Sequence, residues 1–118
     1  MVLTSVTGEL TGLFGTDFDG AGSLLKLDYI NQEFIVKNIT GKVGESPGIA
    51  GSNNRALNLQ GVELTGAPAI DFDYSSGTLS DITLYGQGTG TGLISHHGRF
   101  SDNLALSNIE ITGYNVGI

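Results

Sequence analysis

Leu79-Ser80-Asp81-Ile82-Thr83-Leu84-Tyr85-Gly86 is the stretch on which the fold turns, because the chain says it again. Leu59-Gln60-Gly61-Val62-Glu63-Leu64-Thr65-Gly66 and Leu106-Ser107-Asn108-Ile109-Glu110-Ile111-Thr112-Gly113 repeat its pattern. Val36-Lys37-Asn38-Ile39-Thr40-Gly41 is a weaker member that reaches its glycine a residue pair early. Within each phrase, aliphatic residues alternate with polar ones: Val62 and Leu64 around Glu63, Ile82 and Leu84 around Thr83, Ile109 and Ile111 around Glu110. That period of two predicts a strand with one buried face. The residue before each anchor is Asn38, Gly61, Asp81 or Asn108. These residue types tolerate the left-handed backbone of a sharp corner. Leu59, Leu79 and Leu106 precede the corner and are expected to point inward.

The anchors Ile39, Val62, Ile82 and Ile109 lie 23, 20 and 27 residues apart. A second phrase keeps step with the first: Gly48-Ile49, Ala69-Ile70, Gly92-Leu93 and Gly117-Ile118, at intervals of 21, 23 and 25. Two phrases in constant order at such a period mark stacked repeats. The expected architecture is all-β: a short right-handed parallel β-helix of about four to five coils. A leucine-rich repeat fits less well, since its Asn follows the aliphatic triplet and no helical stretch follows here. A β-sandwich or jelly roll is the alternative, built from irregular short strands.

A chain of 118 residues suits a single domain. Residues 34–118 carry the coils. Residues 1–33 are expected to act as an N-terminal cap or partner-docking segment, because terminal repeats are usually atypical. Gly8 to Gly15 and Ser23 to Tyr29 are the strand candidates there. The C-terminal Gly117-Ile118 reads as the start of another strand, so an apolar layer and a strand edge are expected to be open to a partner or to further chain.

Twelve acidic against five basic residues give a formal charge of −7. This opposes wrapping a phosphate backbone or lying on an anionic membrane. No nucleic-acid or membrane partner is therefore expected. The chain has no cysteine, so a disulfide framework is ruled out. Met1-Val2-Leu3-Thr4-Ser5 lacks the basic and apolar regions of a signal peptide. The nineteen glycines are spread along the chain, which means many turns rather than a linker.

Leu106 to Gly113, followed by Gly117-Ile118, resembles coils of the pectin-lyase-like superfamily of right-handed β-helices, as do Leu79 to Gly86 and Leu59 to Gly66. That superfamily includes bacteriophage tailspikes. The resemblance covers about residues 34–118. It implies either a polysaccharide-active enzyme or a non-enzymatic virion protein, often trimeric, although most such enzymes are several times longer. The resulting expectation is a structural component of a phage particle: a small decoration or spike-like protein. It would assemble as a homo-oligomer, a trimer, with other virion proteins. Its expected location is the virion or the extracellular space. The alternative is a carbohydrate-active module, either a depolymerase fragment or a binder of surface polysaccharide.

Candidate chemistry is sparse. Asp71 and Asp73 alternate with Ile70 and Phe72 and are expected to project outward, about 7 Å apart along one strand. That spacing is permissible for a glycosidase carboxylate pair, which needs roughly 5 to 9.5 Å. It is equally the ordinary polar outside of a coil. Aligning Ile70 with Leu93 places His96 beside Asp73. An Asp–His contact there would be a surface ion pair, a pH-sensitive contact or one edge of a metal site. His96, His97 and Arg99 occupy the longest interval between anchors, where a solvated loop or a subunit contact is expected. Tyr29, Tyr74, Tyr85 and Tyr114 offer aromatic platforms. Asp17-Phe18-Asp19-Gly20 lacks the remaining ligands of a calcium loop and reads as a turn. The Gly86 to Gly92 run has no basic residue or helix to cradle a phosphate. No catalytic residue, metal ligand or cofactor is expected.

Overall fold

The computed structural model of the chain describes residues 2–4, 8–11, 14–15, 23–43, 46–96 and 104–118. Among them are nine strands and no helix: β1 (Val2–Thr4), β2 (Gly8–Thr11), β3 (Phe14–Gly15), β4 (Leu25–Asp28), β5 (Phe34–Lys42), β6 (Ile49–Thr65), β7 (Ile70–Tyr85), β8 (Leu93–His96) and β9 (Leu104–Thr112). Every strand pairing is parallel. A sandwich of hairpins would need antiparallel neighbours, so the fold is the parallel β-helix.

The strands stack on three faces. Face one consists of β1, β4, the start of β6, the start of β7, and β8, in register along Val2, Lys26, Ala50, Asp71 and Ile94. Five strands in one column correspond to four turns of the chain. Face two carries the inward series Leu10, Val36, Leu59, Leu79 and Leu106. Face three carries Ile39, Val62, Ile82 and Ile109, each the register partner of the next. The first three of these are buried, while Ile109, in the last row, is partly exposed. The repeat read from the sequence is therefore a physical column of side chains.

The corners follow from backbone chemistry. Between faces two and three, Asn38, Gly61, Asp81 and Asn108 have φ of 57°, 66°, 54° and 52°. Each is a left-handed residue that turns the chain so that the aliphatic residues two before and one after it, such as Leu59 and Val62 or Leu79 and Ile82, both face the core. Asn108 Nδ2 donates to Asp81 Oδ1 one rung away, so the corner is also stitched along the stack. Between faces one and two, Tyr29, Asn53 and Tyr74 take the same conformation, at 54°, 58° and 49°. Behind that corner Asn54 is fully buried. Its Oδ1 accepts from the Ile30 amide at 3.0 Å, and its Nδ2 donates to the Leu27 carbonyl at 2.8 Å and to Ser75 Oγ at 3.1 Å. One side chain thus fastens three successive coils.

The core is continuous from Leu24 to Leu93. Gly51 occupies an inward position of face one, and a Cβ there would lie 2.7 Å from the Phe72 ring. The missing side chain makes room for the large one on the next rung, as close packing requires.

The weaker first phrase is full length. Gly41 pairs with Leu64, so its glycine fills an inward aliphatic position and is not the turn glycine that Gly66 is in the next coil. The described parts of residues 1–33 stack like the rest, with β1 on β4, and β2 and β3 on β5.

Candidate functional site

Outward positions on face one fall into two columns. The first places Thr4, Asp28, Ser52, Asp73 and His96 in register, and the second places Lys26, Ala50, Asp71 and Ile94. The alternation that buries Ile70 and Phe72 leaves Asp71 and Asp73 on the outside, partly exposed. His96 is the register partner of Asp73, as the alignment of Ile70 with Leu93 requires. Its imidazole, however, lies diagonally, with Nε2 3.5 Å from Asp71 Oδ1. Lys26 Nζ lies 3.9 Å from Asp28 Oδ2 on the same face. Asp28 Oδ1 is buried and accepts no hydrogen bond among the described residues.

The corner beside these columns carries Tyr29, Asn53 and Tyr74, each one residue past Asp28, Ser52 and Asp73. Tyr29 is 55 % exposed and Tyr74 45 %. Asn53 lies between them and donates to Ser52 Oγ at 2.9 Å. Two rungs of about 4.8 Å separate the tyrosines, so they stand about 9.5 Å apart along the stack. This ridge joins residues 45 positions apart in the chain, with no local pattern to announce them.

Tyr85 and Tyr114 stand elsewhere. Tyr85 is exposed at the end of face three, and Tyr114 is half-buried, its hydroxyl donating to the Gly66 carbonyl at 2.7 Å. His97, Arg99 and the Asp17 to Gly20 turn lie outside the described residues. Among the described residues no three metal-ligating side chains converge to hold an ion.

Fold and site together define the class: a parallel β-helix module with an aromatic, acidic flank. No protein-family model, curated protein or solved structure matches the chain.

Proposed function

We propose that the chain is a structural module of a bacteriophage particle, a small decoration or spike-like piece of the pectin-lyase-like kind, working in the virion as a homotrimer alongside other virion proteins. One observation carries this reading: the open rung formed by β9 and the residues after it. Leu106, Val116 and Ile118 are 41 %, 50 % and 65 % exposed there. Beside them runs a parallel strand edge that pairs only on its β7 side among the described residues. A further strand, from the same polypeptide or from a second subunit, would pair with that edge and bury those side chains. The rigid stack and its mostly uncharged outer positions suit a building block. Light scattering and native mass spectrometry test the proposal, together with co-sedimentation with phage particles. A trimer is expected, and Leu106→Lys should weaken it. A chain that stays monomeric at micromolar concentration and ignores phage particles overturns the proposal.

A second reading, a glycan-binding or glycan-cleaving module of an extracellular or virion protein, is favoured by the ridge of Tyr29 and Tyr74 beside Asp71 and Asp73. Exposed aromatic rings offer flat apolar surface to the C–H face of a sugar, and carboxylates accept from its hydroxyls. Incubation with bacterial surface polysaccharide tests for retention or chain shortening. If the chain neither binds nor shortens any polysaccharide tried, this reading falls.

A further inference from the structure

We infer that the outer side of face two is the surface on which copies of this chain meet, turned toward the symmetry axis of their assembly. This rests on the homotrimer reading above and adds which face is used.

Three features carry it. First, charge is segregated around the stack. On the last three rungs of face two the outward pairs are Asn58 and Gln60, Thr78 and Ser80, and Ala105 and Ser107, all uncharged. On the earlier rungs Lys37 Nζ lies 3.7 Å from Glu9 Oε1, so these two charges offset each other. Glu33 and Asp81 come before and after the face along the chain and fall outside its columns. The other two faces carry outward acids: Asp28, Asp71 and Asp73 on face one, Glu63 and Glu110 on face three. The whole chain carries −7, so copies repel wherever carboxylates oppose one another. Around an axis parallel to the stack, each rung meets the same rung of its copies. Face one would set Asp71 and Asp73 against themselves, and face three would do so with Glu63 and Glu110. The last three rungs of face two bring no such pair together.

Second, these side chains are able to pair with themselves. A hydroxyl or a primary amide both donates and accepts, so it bonds to its own copy across an axis, which a carboxylate or an ammonium cannot do. Gln60 Nε2 donates to Asn58 Oδ1 at 3.0 Å. That bond orients both amides on one rung, with Asn58 Nδ2 left to donate and Gln60 Oε1 left to accept across a contact. Ser, Thr and Ala also lose little rotamer freedom when covered. Third, the face is contiguous with the open rung. Leu106, 41 % exposed, lies between Ala105 and Ser107 on β9. A copy seated on face two therefore also reaches the apolar edge of that rung.

The experiment uses the whole chain, which has no cysteine, so a single substitution places one thiol per copy. Thr4→Cys, Thr40→Cys and Thr78→Cys put it on faces one, three and two, each at an exposed position. Light scattering reads the mass, a short bis-maleimide is added, and denaturing gels read linked pairs. Thr78→Cys should give linked pairs, and the other two should not. Ser80→Glu should weaken association about tenfold or more, because it brings like charges together near the axis. Thr83→Glu, on face three, adds the same charge away from the axis and should change association by less than about threefold. Circular dichroism of each variant checks that the stack is intact, and the thiol probes decide even where a Glu variant fails to fold. An assembly that is linked through Thr4→Cys or Thr40→Cys, through all three alike or through none overturns the face and leaves the homotrimer reading in place. So do equal losses for Ser80→Glu and Thr83→Glu. A parent chain that is monomeric throughout overturns the homotrimer reading and this inference with it.

Discussion

The side chain of Asn54 receives the amide of Ile30 across 24 residues of sequence, at 3.0 Å and out of reach of water. Between them runs almost one full coil, so this bond, with the two that Asn54 Nδ2 makes, sets the register of three rungs at one corner. Asn54→Ala leaves the Ile30 amide and the Leu27 carbonyl buried without that partner. Each orphaned group costs about 1–3 kcal/mol, so a loss of roughly 3 kcal/mol is expected in urea denaturation. A loss below about 1 kcal/mol would mean that water or a shifted neighbour replaces the amide.

Along face three, depth in the stack should grade the cost of truncation. Ile82→Ala removes a fully enclosed side chain with rungs above and below, for which about 3–4 kcal/mol is expected. Ile109→Ala, in the partly exposed last row, should cost no more than about half of that. Equal losses at the two positions would show that the β9 rung is covered in solution. The comparison therefore also reports on assembly.

Among the described glycines, Gly77 is the least able to accept a side chain. Its φ is +147°, and a Cβ there would lie 2.0 Å from the carbonyl oxygen of Leu57, which is backbone and cannot swing away. Gly77→Ala should therefore cost about 3 kcal/mol or more, or prevent folding, and both are visible in the thermal transition. A variant within about 1 kcal/mol of the parent would refute the tight approach of β6 and β7.

Alkaline pH should loosen the stack through Tyr114. Burial raises its hydroxyl above the ordinary value of 10.0, because the ionised form loses solvation. The folded chain then holds this proton more tightly than the unfolded chain does. The resulting stability is complete below about pH 10 and is lost as pH rises through the raised value. Tyr114→Phe should flatten part of that alkaline decline. At neutral pH it should cost about 1 kcal/mol for the lost bond to Gly66. Unfolding midpoints of the two proteins across the alkaline range decide it, and superimposable declines would reject the role of Tyr114.

Much of the architecture is legible in the chain because it depends on local chemistry. Alternation marks Val62 and Leu64, Ile82 and Leu84, and Ile109 and Ile111 as strands. The left-handed tolerance of Asn38, Gly61, Asp81 and Asn108 marks one corner. Gly41 misleads for a physical reason: a glycine in an inward slot and a glycine in a turn are the same letter, and only pairing with Leu64 separates them. Face one is legible in part. Aligning Ile70 with Leu93 puts His96 opposite Asp73, but the imidazole reaches Asp71, because the side-chain rotamer and not the register chooses between two nearby carboxylates.

By itself, then, the sequence determined that aliphatic rungs of similar period would be wound on top of one another, since burying a period-two face leaves few other arrangements. The tertiary structure alone decided what stands next to what across the rungs. Tyr29 and Tyr74 form a ridge, and Asn54 ties Leu27, Ile30 and Ser75 together. In a stacked fold, neighbours along the axis are about one coil apart in sequence, and the exact offset depends on each coil's length and corners. Those contacts are set by how the coils settle on one another, which no local pattern records.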